Sequence, residues 1–229
     1  MDWTWLPKYL PLLMSGLYQT LLLLVLSMVF GLLLAVPIGL AQVAGPRWLR
    51  ALAKAYCTVM RGTPLLVQVW LMYYGLGSIF AANPEIRHSV FWPILREGFF
   101  YGVLAFSLNE GGYAGEIMRG GFMAVPKGEL EAARAIGMSP FMVLRRVWLP
   151  RAFHLVLPNL ASEVVLTLKS TPLAATITVL DLFGVIYRVR QDTLLTYEPL
   201  LLLAGIYMAL TFIITRIFGV FEKQIPSRR

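Results

Sequence analysis

Two groups of polar side chains interrupt long apolar stretches of the sequence, where a carboxylate is costly and usually functional. Asn109 and Glu110 come about ten residues after Phe99, and Glu163 comes twelve residues after Arg151. If each stretch is a helix that rises about 1.5 Å per residue, these groups lie about 15 and about 18 Å along it. With the helices running in opposite directions, both groups fall near the middle of the bilayer, where transporters often bind solutes. Carboxylates at that depth would favour a cationic solute.

Helical spacing relates these residues to one another. Asn159, Glu163, Thr167 and Ser170 are four, four and three residues apart, so they share one face of a helix. We therefore predict that the two polar groups line a substrate path. The residues predicted to form it are Asn109, Glu110, Glu163, Thr167 and Ser170. An alternative stays open, in which the glutamates pair with bases inside the protein or on a second subunit.

Two neighbouring features are consistent with local structural roles. Glu116 and Arg119 are three residues apart near the inner end of the same helix, and an i,i+3 ion pair would account for both. In the segment 61–64, Pro64 removes a backbone donor. This segment is either a hinge beside a cavity or a kinked helix whose arginine reaches the cytoplasm. Three glycines near Glu110 would allow close helix packing, and these are Gly111, Gly112 and Gly115.

The composition indicates the class of fold that positions these polar residues. Of the 229 residues, 58% are hydrophobic and only 14% are charged, which is far too apolar for an ordinary soluble domain. We predict an all-α integral membrane protein with about five transmembrane helices, since each span needs about 20 residues. The predicted spans are 16–43, 57–80, 99–118, 152–172 and 197–220. The segment 173–196 is apolar enough for a re-entrant helix, a helix lying on the membrane or a short sixth span.

The distribution of Lys and Arg predicts the orientation. With five spans, the loops 44–56 and 119–151 share one side with the C-terminal tail, and together they carry most of the bases outside the spans. Arg228 and Arg229 belong to this tail. By the positive-inside rule this side is cytoplasmic, so the N-terminus is expected outside and the C-terminus in the cytoplasm.

The loop 119–151 contains a predicted helical hairpin. Good helix formers run from Glu129 to Ile136, and Gly137 can adopt the left-handed conformation that ends a helix. Ser139 is a predicted N-cap for a second helix, which is expected to end near 149–150, where the fourth span begins. Small alanines on the first helix would let another protein approach closely. The alternative is an amphipathic linker that lies at the interface without a partner.

The hairpin resembles the "EAA" loop of ABC-transporter permease subunits. The residues that carry the resemblance are Glu131, Ala132, Ala133, Gly137, Leu149 and Pro150, with Val147 in place of the usual Ile. The stretches "MRGTPLLVQVWLMYYGL" and "SEVVLTLKSTPLAATITVLDL" resemble the branch that imports polar amino acids and opines. The chain departs from this branch at Glu110 and Pro172. The resemblance implies a type I ABC importer permease fold, in which this loop is the coupling helix.

The resemblance also implies the assembly. The chain would be a single transmembrane permease domain, residues 1–229, embedded in lipid in a bacterial inner membrane. Its partners would be a dimer of ATPase subunits, a second permease subunit that is identical or paralogous, and a periplasmic solute-binding protein. ATP and Mg would bind the ATPase, so this chain would have no cofactor and no catalytic residue. The substrate would be a polar amino acid, with Glu110 favouring a basic amino acid or an opine.

Other functions are less compatible with the sequence. No Gly-x-x-x-x-Gly-Lys-Ser/Thr motif is present, so any ATPase must be another polypeptide. His88, His154 and the lone Cys57 have no ligand spacing, so no metal site is expected, and the scattered bases give no nucleic-acid patch. The main alternative is a secondary amino-acid transporter or channel that works without ATP. A membrane-embedded enzyme would need convergent catalytic groups, and a non-transporting scaffold would move no solute at all.

Overall fold

The computed structural model describes residues 3–223, and within them every regular element is a helix. The helices are α1 (Leu6–Ala44), α2 (Arg47–Gly62), α3 (Leu65–Ala82), α4 (Pro84–Arg87), α5 (Trp92–Leu95), α6 (Gly98–Ala124), α7 (Lys127–Ala135), α8 (Pro140–Ile177), α9 (Leu182–Thr193) and α10 (Tyr197–Lys223). Arg228 and Arg229, counted above among the cytoplasmic bases, lie outside the described residues. The predicted all-α membrane fold is confirmed.

Several of these helices can cross a membrane. Among the described residues, α1, α3 and α10 are each long and apolar enough, and the pair α8 and α9, bent by 55°, passes the same test together. Helix α6 has 27 residues, or about 40 Å at 1.5 Å per residue, which also exceeds the hydrocarbon thickness. It carries three charged residues, Glu110, Glu116 and Arg119. The predicted count of five spans includes α6 and stays a prediction.

The second predicted span, 57–80, is wrong at its start. Helix α2 ends at Gly62 and α3 begins at Leu65, so the span proper is Leu65–Ala82. The break falls at Pro64, whose ring cannot donate a backbone hydrogen bond and disfavours helical geometry in the residue before it. Helix α2 is a separate element, and Cys57 on it is buried, as expected for a small apolar residue.

The hairpin's second helix was predicted to end near Leu149-Pro150, and this is also wrong. Helix α8 continues without interruption from Pro140 into the membrane-spanning segment. The turn before Pro150 is π-helical, Leu144–Trp148, and the N–H of Leu149 donates to the carbonyl of Leu144, five residues back. A wider turn of this kind lets the helix accommodate a residue without an N–H. The last turns of α8, from Thr171, are 3₁₀-helical, with Pro172 in the first of them.

The segment 173–196 does not form a sixth span. Helix α9 has 12 residues, or about 18 Å, which is too short to cross about 30 Å of hydrocarbon. Asp181 caps its N-terminus by accepting a hydrogen bond from the N–H of Gly184. Thr178 and Leu194 flank the helix with left-handed backbone, at φ of 70° and 59°.

The described helices divide into two compact units. Among the described residues the first unit comprises 3–29, Thr63–Ser107 and Val164–Ile214. One of its apolar clusters surrounds Leu23, Tyr101 and Phe106. Another surrounds Leu182 and Ile186, so α9 is held by its buried apolar face.

The second unit contains the hairpin. Among the described residues it comprises Phe30–Gly62, Leu108–Glu163 and 215–223. Its core includes Met118, Phe122 and Val156. Helices approach closely here, because a Cβ atom added to Gly39 would lie 2.8 Å from the Cβ of Met118. One added to Gly121 would lie 2.6 Å from Val156.

Candidate functional site

The turn of the hairpin is closed by backbone hydrogen bonds. Gly137 adopts the predicted left-handed conformation, with φ of 86°. Its N–H donates to the carbonyl of Arg134 at 2.9 Å, and the N–H of Met138 donates to the carbonyl of Ala133 at 3.2 Å. These two bonds form a Schellman motif, which satisfies carbonyls at the end of α7 and fixes the direction of the exiting chain.

The second helix begins with the predicted cap. The Ser139 hydroxyl accepts a hydrogen bond from the N–H of Met142 at 3.3 Å, and Pro140 occupies the first helical position. The N–H of Val143 donates to the carbonyl of Ser139 at 2.9 Å. Since both helix ends at the turn are capped, α7 and the start of α8 form a well-defined hairpin.

Two contacts attach this hairpin to the rest of the second unit. The guanidinium of Arg151 lies 3.3 Å from the carboxylate of Glu129, and both side chains are about one-third exposed or less. The indole N–H of Trp148 donates to the carbonyl of Phe122 at 2.9 Å, and the two rings pack edge to face at 5.3 Å. Sequence reasoning missed Trp148, although it is the only tryptophan in 119–151. The hairpin is thus connected to α6.

The outer face of the hairpin is open to solvent. Glu131 and Ala132 are exposed, whereas Ala133 is buried. The apolar side chains of Ile136 and Phe141 are 75% and 70% exposed. We call these four exposed residues, Glu131, Ala132, Ile136 and Phe141, the hairpin surface. Of the other predicted coupling residues, Leu149 is half-buried and Pro150 is exposed on α8.

The predicted path residue Asn109 contacts the end of α2. Its side-chain amide donates to the carbonyl of Met60 at 3.0 Å. In a continuous helix this carbonyl would accept from the N–H of residue 64, which is a proline. Tyr113, one turn after Asn109, donates its hydroxyl to the carbonyl of Arg61 at 3.4 Å. Two side chains of α6 therefore hydrogen-bond the end of α2.

A third contact of this kind runs in the opposite direction. The hydroxyl of Tyr56 on α2 donates to the carbonyl of Leu108 on α6 at 2.6 Å. A Cβ atom added to Gly112 would lie 2.7 Å from the Cβ of Met60, so the two helices touch here. Sequence reasoning predicted the close approach from the glycines but missed both tyrosines.

The charged residues near this break form one group. Arg119 pairs with Glu116 at 2.9 Å, which confirms the expected i,i+3 ion pair. Arg61 lies 3.9 Å from the same carboxylate and stacks over the ring of Tyr113 at 5.6 Å. Arg61 is the more exposed partner, with 46% of its side chain accessible. No partner for Arg61 was predicted from the sequence.

The remaining predicted path residues lie in both units. Glu110 is only 3% exposed and Glu163 is half-buried, and both belong to the second unit. Thr167 and Ser170 follow on α8 in the first unit. Thr167 is buried, and the hydroxyl of Ser170 donates to the carbonyl of Leu166 at 2.9 Å.

The first unit also has buried polar residues that sequence reasoning did not single out. Asp181 is completely buried at the start of α9. The hydroxyl of Thr20 accepts from the N–H of Leu182 at 2.9 Å, and the hydroxyls of Thr171 and Tyr207 lie 2.9 Å apart. Asp181 is an acid between two apolar runs, in "TVLDLF", and this position is the sequence feature that could have singled it out.

Sequence comparison connects this arrangement to known proteins. Residues 27–226 match the family described as binding-protein-dependent transport system inner membrane component. The octopine transport system permease protein OccM of Rhizobium radiobacter is 39% identical over 95% of this chain and 87% of its own length. The nopaline permease protein NocM of Agrobacterium fabrum is 36% identical over 93% and 87%. The arginine ABC transporter permease protein ArtM of Haemophilus influenzae is 32% identical over 95% and 94%.

Structural comparison agrees with these similarities. A crystal structure of an amino acid ABC transporter with histidines is 33% identical, with a TM-score of 0.82 over 98% of this chain and 99% of the matched chain. An inward-facing MetNI methionine ABC transporter is 17% identical, with a TM-score of 0.72 over 96% and 99%, and shares the fold.

Proposed function

The chain belongs to the family of binding-protein-dependent transport system inner membrane components, and on this premise we propose that it conducts a basic amino acid or an opine across the bacterial inner membrane. The chain is a permease subunit, and the energy for import comes from a separate ATPase that binds ATP and Mg. Two permease chains, identical or paralogous, enclose the path. A periplasmic binding protein delivers the solute.

The hairpin surface is the observation that carries this proposal. Its residues are exposed, while the Schellman turn at Gly137 and the two attachments to the second unit restrict how the hairpin can move. A rigid hairpin with exposed alanine and apolar side chains suits docking into a cleft of another protein. Because Trp148 connects it to α6, motion of a docked ATPase would reach the membrane helices directly.

The orientation of the chain in the membrane follows from docking of the ATPase on the hairpin surface. An ATPase dimer must lie where ATP is available, so the hairpin is cytoplasmic, in agreement with the Lys and Arg bias of its loop. The N-terminus is then outside and the C-terminus in the cytoplasm. Segment 173–196, separated from the hairpin by the span of α8, is on the outer side.

The substrate class rests on charge. Glu110 is buried on α6, in the predicted third span, and Glu163 is half-buried on α8. Carboxylates at such positions stabilise a cationic group on a solute that passes through. The relatives named for octopine, nopaline and arginine transport have in common a guanidinium-bearing solute, which supports the same class. Asn109, Thr167 and Ser170 would add hydrogen bonds along the path.

Cross-linking and transport together test the proposal. Cys57, the only native cysteine, is buried, so Ala132→Cys introduces a selective label on the hairpin surface. We expect it to cross-link to the ATPase subunit in the assembled transporter, whereas Glu85→Cys, on the opposite side, does not. Proteoliposomes with the binding protein should accumulate labelled L-arginine only with ATP. Uptake without ATP, or an Ala132→Cys that reacts from outside, would contradict the proposal and favour a secondary transporter.

A further inference from the structure

A groove in the first unit is a second candidate binding site, and none of the predicted path residues lines it. This groove, of about 520 Å³, runs along the exposed face of α9. Its volume is within the range of small-molecule sites, roughly 300–1,000 Å³. Among the residues that line it are Thr176, Phe183, Tyr187, Arg188, Gln191 and Asp192. We call it the α9 groove.

The groove contains two opposite charges that do not pair with each other. Arg188 and Asp192 are one helical turn apart, at the spacing that usually gives an ion pair. No ion pair joins them, although both are among the described residues. A base that precedes an acid by four residues is in the less favourable order for pairing. Asp192 instead accepts a hydrogen bond from the hydroxyl of Tyr9 at 3.1 Å. The guanidinium of Arg188 is therefore available to a ligand.

An aromatic pair forms part of the same groove. The rings of Phe183 and Tyr187 stack with centroids 6.5 Å apart and an angle of 22° between them. Tyr187 is half-exposed, so its ring is accessible from the groove. Aromatic faces attract cations such as guanidinium. They can also pack against the methylene groups that link the cation to the rest of a basic amino acid.

The groove is built on fixed elements. The opposite face of α9 is fully buried through Leu182, Val185, Ile186 and Val189. Thr176, on the other wall, accepts a hydrogen bond at its hydroxyl from the indole N–H of Trp70 at 3.0 Å. The hydroxyl of Tyr74 donates to the carbonyl of Thr176 at 3.4 Å. A site with fixed walls loses little entropy when it binds a ligand.

From these features we infer that the α9 groove binds a basic amino acid or an opine on the outer side of the membrane. The ligand carboxylate would pair with the fork of Arg188, which matches carboxylate geometry. Its cationic group would lie near Asp192 and the ring of Tyr187. This inference rests on the proposed function for the orientation and the solute class. It adds a binding site for the solute outside the membrane-spanning path.

Thiol protection tests the groove directly, with L-arginine as the probe. Gln191→Cys places a reactive thiol in the groove, and the buried Cys57 gives little background. In right-side-out vesicles with the whole transporter and without binding protein, a membrane-impermeant thiol reagent should modify it. L-Arginine at ten times its dissociation constant should slow this modification about tenfold. Agmatine, which lacks the carboxylate, and L-alanine, which lacks the side-chain cation, should protect much less.

Two controls establish which residues act. Arg188→Gln, combined with Gln191→Cys, should abolish protection, whereas Arg87→Gln, an exposed base outside the groove, should leave it unchanged. Glu85→Cys should show no protection. Three results would each overturn the inference. They are a lack of protection of Gln191→Cys by L-arginine, equal protection after Arg188→Gln, and a Gln191→Cys thiol that is not modified from outside. ATP-driven uptake is measured in matched vesicles to which the binding protein has been added. If protection holds but these vesicles fail ATP-driven uptake, the proposed function fails and the groove remains. If uptake proceeds without protection, only the groove is rejected.

Discussion

Asn109 donates its side-chain amide to the carbonyl of Met60, the residue four positions before Pro64. The sequence presented these as separate features, a polar residue in one span and a proline break in another. In the structure the amide donates to a carbonyl to which Pro64, having no N–H, cannot donate. A side chain predicted to line the path therefore also stabilises the end of α2, within the second unit.

This relationship predicts a coupling between Asn109 and Pro64. Asn109→Ala removes the hydrogen bond from the Met60 carbonyl, at a cost of about 1–3 kcal/mol in the free energy of unfolding. Pro64→Ala restores an N–H at position 64, so Asn109→Ala should cost less in that background. A double-mutant cycle, followed by SDS unfolding in mixed micelles, measures the difference. Strictly additive effects would show that the amide does not substitute for the missing N–H.

Glycine positions in the second unit predict a contrast in stability. A Cβ atom at Gly39 would lie 2.8 Å from the Cβ of Met118 and 2.9 Å from the backbone nitrogen of Arg119, which cannot move aside. We expect Gly39→Ala to lower the free energy of unfolding by about 1–3 kcal/mol through overpacking. Gly120 has no atom within 4 Å of an added Cβ, so Gly120→Ala should be neutral or stabilise by up to about 1 kcal/mol. Equal effects in the same unfolding assay would argue against close packing at Gly39.

The parts of the structure that sequence reasoning predicted correctly depend on local chemistry. Gly137 and Ser139 end one helix and begin the next through hydrogen bonds to residues at most five positions away. The apolar runs predicted most spans for the same reason, since hydropathy is a property of a continuous stretch. The ion pair of Glu116 and Arg119 needed only the pitch of one helix.

The features of the structure that sequence reasoning missed depend on contacts between residues far apart in the sequence. Tyr56 and Leu108 are 52 residues apart, and Trp148 and Phe122 are 26 apart, so no local pattern indicates that they meet. The prediction that a helix ends at Pro150 failed because a π-helical turn accommodates the proline. Helical spacing placed Thr167 on the same face as Glu163, but it could not show that they belong to different compact units.

The left-handed turn of the hairpin predicts a further contrast. Gly137→Ala keeps open space around its Cβ but forces an L-residue to φ of 86°, at a cost of about 1–2 kcal/mol. The strain should loosen the hairpin and reduce ATP-driven uptake more than it reduces assembly with the ATPase. Gly128→Ala, also without a neighbour within 4 Å and with ordinary φ, is the matched control. Normal uptake per assembled complex in Gly137→Ala would show that the turn geometry is unimportant for coupling.

The two glutamates of α6 are expected to respond differently to the same substitution. Glu110 is 3% exposed and predicted to face the solute, so Glu110→Gln should raise the KM for L-arginine by about tenfold or more, equivalent to about 1.4 kcal/mol. Uptake of a neutral amino acid should change little, because it presents no side-chain cation. Glu116 is paired with Arg119 at 2.9 Å, so Glu116→Gln should alter stability slightly and leave the preference for cations unchanged. Competition between labelled L-arginine and L-glutamine in proteoliposomes measures that preference. If Glu110→Gln keeps the wild-type ratio, Glu110 is a structural residue and the solute's charge is recognised elsewhere.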